Sequence, residues 1–296
     1  MSPALRDQPG DARMAARTNL TSTKVRISRD RLVGEGTFRV AYEATYQNGG
    51  RKDQTAVAKQ FKPYYKVLET QMYDNDFRIA DKALKMAQAW NANVPEGKTI
   101  LITRGDTARI NGTKYLLEPY IRYFEKFTSN NGWVAPKENH PHAWKVMMLE
   151  AFSHFTYEES GGRLIVCDLQ GHYRYKKWAP RKSRLELTDP AICSQERKFG
   201  PTDLGIKGIQ SFFCNHVCNK HCQSKWRRPK HPKCWFDPTS NTSMLNLSAT
   251  NLLNPVTSSA RFNRNLEPIY EYSFDLDTIN EITDEEDQMI PMKVES

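Results

Sequence analysis

Over the first hundred residues the apolar positions change period once. From Lys24 to about Lys59 they alternate with polar ones, in Lys24 to Ser28, Leu32-Val33, Phe38 to Thr45 and Thr55 to Lys59, with breaks at Gly34, Gly36 and Asn48-Gly49-Gly50. A period of two buries one face of a strand, so this stretch predicts a small antiparallel sheet. From Asp74 to Asn91 the spacing becomes helical: Phe77, Ala80, Ala83, Leu84, Ala87 and Trp90 recur with neither Gly nor Pro between them. Further strands are predicted at Thr99 to Thr103 and Tyr115 to Ile121, then a turn at Asn130-Asn131-Gly132. A second helix is predicted over Pro141 to Thr156, a continuous apolar strand over Leu164 to Cys167, and a third helix from about Asp203 to Cys222. These elements predict an α+β chain of two lobes. Residues 1–22 are a flexible leader and 23–235 the folded domain, split at about 125/126. Residues 236–296 are a mostly disordered tail with docking potential near Ile269 to Ile282.

Composition narrows the class. A chain of 296 residues with 39% apolar content can bury an enzyme-sized core. No run reaches the roughly 18 apolar residues of a membrane helix, and Met1 to Arg17 is polar with mixed charge, so a soluble, cytoplasmic protein with no membrane partner is expected. Without an export signal the six cysteines read as thiols or metal ligands rather than disulfides. The net charge of +9 is uneven: Asn265 to Ser296 holds ten acidic residues and one basic, leaving +18 on residues 1–264. A basic body suits phosphorylated or acidic ligands, nucleic acid or a membrane surface, and charge alone does not choose among them.

Four groups of residues carry chemistry. Gly34 and Gly36, between two predicted strands, would let backbone amides approach a phosphate, although an isolated hairpin glycine pair has the same look. Lys59 ends the strand Ala56-Val57-Ala58-Lys59, from which an ammonium can reach back to phosphates. The apolar strand Leu164 to Cys167 runs into Asp168-Leu169-Gln170-Gly171, and Leu187-Thr188-Asp189-Pro190 adds a second carboxylate. Phosphoryl transfer uses one carboxylate for Mg²⁺ and one to orient the attacking hydroxyl. Finally, His216-Val217-Cys218 with Cys222 offers three close metal ligands, the two cysteines read as four apart on a helical face. His154, Cys214, His221, His231 and Cys234 compete for the fourth position.

Taken in order, these motifs resemble the alpha-kinase family of atypical protein kinases, over about Leu32 to Cys222. The resemblance rests on Gly36-Thr37-Phe38-Arg39, Val57-Ala58-Lys59, Leu117-Glu118-Pro119-Tyr120-Ile121 and Lys126-Phe127-Thr128-Ser129-Asn130-Asn131-Gly132. It continues through Ala151-Phe152-Ser153-His154-Phe155-Thr156-Tyr157-Glu158, Asp168-Leu169-Gln170-Gly171, Leu187-Thr188-Asp189-Pro190, Asp203-Leu204-Gly205 and Phe212-Phe213 through His216-x-Cys218-Asn219-x-x-Cys222. It implies a two-lobed kinase-like fold, an N-lobe mainly of antiparallel sheet, and a C-lobe with a structural zinc on His154, His216, Cys218 and Cys222. It further implies ATP and Mg²⁺ as cofactors and a Ser/Thr protein substrate. Lys59 would contact the α- and β-phosphates, Arg39 and the backbone near Gly34 and Gly36 would hold phosphates, and Glu118 with the backbone near Tyr120 would meet adenine. Asp168 and Gln170 would hold Mg²⁺ or the γ-phosphate, and Asp189 would orient or deprotonate the acceptor hydroxyl.

The chain departs from the family pattern in three places. Eighteen residues separate Gln170 from Asp189 where the family has a much shorter loop, which leaves the position of Asp189 to be tested; Thr128 stands where Asn is usual; and the tail shows no second module. The long segment carries Arg174, Lys176, Lys177, Arg181, Lys182 and Arg184, a candidate attractor for acidic partners beside the carboxylates. Two rival functions remain: an inactive scaffold of the same fold that binds nucleotide or a phosphorylated ligand, and a zinc-containing nucleic-acid binder using Lys225 to Lys233 with Trp226 and Trp235 as stacking platforms. Nucleic acid is the less expected partner, since it leaves Asp168-Leu169-Gln170-Gly171 unexplained.

Overall fold

The computed structural model describes residues 16–36, 38–94, 98–137, 143–239 and 243–245. In chain order the elements are β1 (Ala16–Thr18), β2 (Val25–Glu35), β3 (Arg39–Tyr46), β4 (Thr55–Phe61), α1 (Glu69–Asn91), β5 (Thr99–Arg104), β6 (Asp106–Ile110), β7 (Thr113–Pro119) and β8 (Glu125–Lys126). There follow α2 (Ala143–Glu159), β9 (Leu164–Cys167), β10 (Gln170–Arg174), β11 (Arg184–Thr188), β12 (Ala191–Ser194) and α3 (Gly205–Asn215).

The alternating N-terminal stretch forms the expected antiparallel sheet, in the order β2-β3-β4-β7-β6. The two short runs Lys24 to Ser28 and Leu32-Val33 are one strand, β2, whose register slips between Ile27 and Leu32 and again before Gly34. A second sheet, β1-β5-β11-β10-β8, is mixed, with β5 parallel to both β1 and β11. Strands β9 and β12 pair separately. The chain is therefore α+β, as expected.

The lobe boundary is less simple than 125/126, because β5 lies before it in sequence yet pairs with β11 beyond it. The physical reason is the face of α1. Ile79, Ala83, Met86, Ala87 and Trp90 are buried together with Ile100 and Ile102 of β5, Phe152 of α2 and Leu185 and Leu187 of β11, so helix and strand enter the second core as a unit. The part of the expected leader that is described is also built in. Ala16 to Thr18 pair with Ile102 to Arg104, Arg17 donates to the carbonyls of Pro119 and Tyr120, and the buried Asn19 donates to Leu117 O at 2.9 Å. Backbone pairing and polar anchoring hold a segment that has no apolar period to reveal it.

The third helix is shorter than expected. It ends at Asn215, where His216 adopts an extended conformation, so Cys218 and Cys222 lie on irregular chain beyond the helix and not on one helical face. The expected tail is described at 236–239 and 243–245, and Ser243 and Met244 are hydrogen-bonded to the body; the docking stretch near Ile269 to Ile282 lies outside the described residues. Among the described residues no helix is long and apolar enough to cross a membrane.

Candidate active site

The two carboxylates owe their positions to one interrupted ribbon. Strands β9 and β12 pair with Cys167 opposite Ala191, and β10 and β11 pair with Gln170 opposite Thr188. The register is the same on both sides of the break, so Asp168-Leu169 face Asp189-Pro190 across it. Both aspartates sit in the left-handed region, at φ 55° and 46°, a conformation that costs an L-residue roughly 1–3 kcal/mol and gathers at functional sites. The corner is reinforced by Gly171: at φ 147° it brings its backbone so close to Glu186 that a Cβ would lie 2.0 Å from the Glu186 carbonyl oxygen. Gln170 Nε2 donates to Asp189 O at 3.3 Å, joining the two sides.

This arrangement answers the long insertion. The segment folds as the hairpin β10–β11, so its length leaves Asp189 opposite Asp168. It also moves the cations away from the carboxylates. The hairpin begins at the cleft, and Lys176, Lys177, Arg181 and Lys182 lie at its far end, about 15 Å along the strands at 3.3 Å per residue. The expected basic surround of the cleft is thus a remote tip, where Tyr175 and Trp178 are exposed as well.

From the first sheet, Lys59 of β4 enters the cleft. Its Nζ makes an ion pair with Glu118 Oε2 at 2.7 Å and a shorter contact to Asp189 Oδ2. Burial pulls the ammonium pKa down, but Asp189 and Glu118 together pull it further up, so Lys59 stays charged. Glu118, expected at adenine, lines the cleft with its carboxylate on Lys59 and receives Thr188 Oγ1 at 3.3 Å; burial raises its pKa, with Lys59 opposing. The Tyr120 amide donates to Thr55 O at 3.2 Å, and its carbonyl accepts from Arg17. Gly36 N–H is similarly engaged, with Arg39 O, while Thr37 lies outside the described residues. Gly34, Gly36, Arg39, Lys59, Glu118, Asp168, Gln170 and Asp189 line one cleft, and Tyr120 lines its continuation past Val57 and Ile121.

Sequence reasoning missed three residues that line this cleft or hold its side chains. Asp76 of α1 binds Arg39 at 2.5 Å, while the guanidinium lies over Phe61 and Tyr73, 4.4 and 5.0 Å from their ring centroids. Its signal was an acid on the stripe Tyr73, Asp76, Ala80, Ala83, Ala87. Lys126 of β8, nearly inaccessible, pairs with Asp168 Oδ1 at 2.8 Å. Ser243 donates to Asp168 Oδ2. Lys126 stood inside a quoted motif without a role, and Ser243 gave no local signal.

The metal candidates converge. The ligand atoms of His154, His216, Cys218 and Cys222 all lie within 4.8 Å of one another, which leaves Cys214, His221, His231 and Cys234 outside the set. Zinc–ligand bonds of about 2.0–2.3 Å at tetrahedral angles need ligands about 3.3–3.8 Å apart; His154 Nδ1 to Cys218 Sγ is 3.6 Å and His216 Nε2 to Cys222 Sγ 3.5 Å. The other nitrogens face Arg227 O at 3.1 Å and Glu150 Oε1 at 3.5 Å, the oxygen partners that orient ligating imidazoles. Burial holds the His154 pKa down to about 4, so the ring is neutral as ligation requires. The donor set therefore fits zinc. One cysteine expectation is corrected: Cys214 and Cys234 form a disulfide, with Cα atoms 5.4 Å apart. Trp226, offered as a stacking platform, instead packs on His154 and Phe155 with ring centroids 5.3 and 5.8 Å away.

A lysine held by two carboxylates on one wall of a cleft, and a strained carboxylate pair with an amide on the other, define a two-walled site for an anionic ligand and a cation. Matching over residues 34–222 to the model of the alpha-kinase family gives this class its particular form. The chain belongs to the alpha-kinase family. It is 30% identical over 199 residues to myosin heavy chain kinase B of Dictyostelium discoideum, covering 64% of this chain and 24% of that protein. It is also 30% identical over 175 residues to human eukaryotic elongation factor 2 kinase, covering 57% and 22%. Among solved structures it resembles an alpha kinase of Entamoeba histolytica, with a TM-score of 0.55, 23% identity, and 75% of this chain and 85% of that one covered. It likewise resembles an inactive alpha-kinase domain of myosin heavy chain kinase A in complex with ATP, with a TM-score of 0.52, 24% identity, and 68% and 88% covered. The matched segments span less than a quarter of the length of these curated relatives.

Proposed function

We propose that this chain is a protein kinase that transfers the γ-phosphate of ATP to a Ser or Thr hydroxyl of a protein. The observation that carries the reading is the meeting of Lys59 with Asp189, 130 residues apart in sequence, opposite Asp168 and Gln170 in one cleft. Lys59 and Arg39 are the cations available to phosphates, and Asp168 and Asp189 divide metal binding and proton acceptance, with Gln170 between them. The backbone past Glu118 and Tyr120 is the wall offered to adenine. Carboxylate and amide oxygens suit Mg²⁺, which when bound would neutralise developing charge on the transferred group. The chain's own part is positioning: Asp76 holds Arg39, Lys126 holds Asp168, and Gln170 ties Asp168's strand to Asp189.

His154, His216, Cys218 and Cys222 would hold a structural zinc, since four protein ligands leave no open position for water. The inactive-scaffold reading predicts nucleotide binding without transfer. Labelled ATP with Mg²⁺, offered to the chain and to Ser/Thr peptides, separates the two. Transfer that Lys59→Ala and Asp189→Ala both abolish supports the kinase; binding with no transfer to any acceptor rejects it.

A further inference from the structure

We propose that a second cavity, beside Pro119 to Tyr123 and separate from the cleft described above, binds a small free anion that carries two linked phosphates. The cavity measures about 390 Å³, the scale of a small-molecule site. Arg17, Arg51, Arg122 and Arg174 line it against one carboxylate, Glu186. That carboxylate is already shared by three guanidiniums, Arg17 at 3.2 Å, Arg174 at 3.5 Å and Arg184 at 3.1 Å. Two of the lining arginines are half-buried and anchored. Arg17 donates to Pro119 O at 2.7 Å and Tyr120 O at 2.8 Å, and Arg51 donates to Thr18 O and, at 3.0 Å, to Gln54 Oε1. The other two, Arg122 and Arg174, are exposed, and neither Arg51 nor Arg122 has a carboxylate partner among the described residues.

Gathering like charges around one carboxylate raises the free energy of the empty cavity, and a bound anion lowers it. The repulsion is visible in the arginines themselves. Burial lowers the Arg17 pKa, Glu186 opposes, and Arg51 and Arg174 lower it further; burial lowers that of Arg51 too, with Arg174 acting in the same direction. His172, also on the cavity wall, is pushed toward its neutral form by burial, and its Nδ1 is inaccessible with no hydrogen-bond partner among the described residues. Beside it Tyr123 lies in the left-handed region at φ 54°, half exposed, with its ring centroid 5.6 Å from that of His172. An orphaned nitrogen and a strained aromatic are costs that gather where a ligand is held. Planar guanidinium forks grip phosphate oxygens in pairs. Four guanidiniums against Glu186 leave three positive charges, more than one carboxylate or a single phosphate supplies, so the charge favours linked phosphates over either.

The test titrates pyrophosphate calorimetrically into the full chain at constant ionic strength, without nucleotide or added Mg²⁺, so it is independent of any phosphoryl transfer. The expected result is saturable binding with a Kd below about 1 mM. Arg122→Gln combined with Arg174→Gln, both on exposed side chains, should weaken it at least tenfold in a protein whose melting temperature is unchanged. Glu186→Gln, which removes the sole lining carboxylate, should tighten it at least threefold. Lys59→Ala, which removes a cation of the other cleft, should leave the Kd within about threefold of wild type. Absence of saturable binding overturns the proposal, as does binding that Lys59→Ala abolishes and the arginine variant leaves intact, since the anion then sits in the first cleft. Lys176→Gln combined with Lys177→Gln removes the same charge at the remote hairpin tip. A loss there equal to that of the arginine variant overturns the proposal as well, because it marks general attraction to a basic surface.

Discussion

The two walls of the cleft hold their charged groups by different means. In the first sheet, Lys59 and Glu118 stand on regular strands and are held by opposite charge, Lys59 between two carboxylates and Arg39 by Asp76 and two rings. In the second, Asp168 and Asp189 sit at left-handed corners held by the strand register, by the absence of a side chain at Gly171 and by a lysine that is itself buried. Charge pairing can be rearranged by a ligand that brings its own charges. A backbone corner cannot, so the first wall is suited to yield to nucleotide and the second to stay fixed.

The largest effect that would test this contrast is loss of the His154, His216, Cys218 and Cys222 cluster under the fixed wall. Cys218→Ala or Cys222→Ala, or chelation of zinc, should unfold the region of α2 and α3, because a structural zinc contributes on the order of 10 kcal/mol. Soluble yield and melting temperature measure it, and normal stability of the variants in a zinc-free protein would defeat the assignment. Next comes Gly171→Ala, whose Cβ meets the Glu186 carbonyl. It should destabilise by more than about 3 kcal/mol in denaturant melts, while Gly112→Ala, with nothing within 4 Å of its Cβ, should cost far less.

On the fixed wall itself, Asp189→Asn should lower transfer at least about a hundredfold and leave the melting temperature nearly unchanged, since it removes a charge, keeps the shape and leaves Glu118 paired with Lys59. Replacing residues 175–183 by Asn-Gly closes the β10–β11 hairpin with a two-residue turn. If the tip is remote from chemistry, the barrier should move by no more than about 0.5 kcal/mol, read as kcat on a neutral peptide.

The smallest effect on stability concerns Glu186. Burial raises its pKa, but Arg17, Arg174 and Arg184 lower it further, so the folded value lies below the usual carboxylate range. A depressed carboxylate contributes stability above its unfolded pKa of about 4.3 and loses it as pH falls through the folded value. The wild type should therefore lose about 1 kcal/mol more than Glu186→Gln between pH 6 and pH 3, measured by denaturant midpoints.

Local pattern made the first sheet, α1 and the strand into Asp168 legible, because period two and period 3.6 follow directly from which face is buried. Lys59, Asp168, Gln170 and Asp189 were legible as motif residues. The strand at Ala16 to Thr18 was not, since it is held by pairing with β5 and by Arg17's contacts with distant carbonyls. The pairing of Glu118 with Lys59 was not legible either, because its motif says nothing of the lysine that it faces. The helix to Cys222 was overextended for a similar reason: the apolar spacing of α3 continues toward the cysteines, but the chain turns at His216.

By itself, then, the sequence determined the antiparallel first sheet and the three close candidate ligands His216, Cys218 and Cys222, which depend on residue types at short spacing, while the order of the motifs gave the family and, through it, His154 as the fourth ligand. Tertiary structure alone decided that Asp189 faces Asp168 across a long insertion, that Asp76 and Lys126 hold the site, and that Ser243 lies on Asp168. Each of these is a contact between segments distant in sequence, set by strand register and by where buried charges find partners.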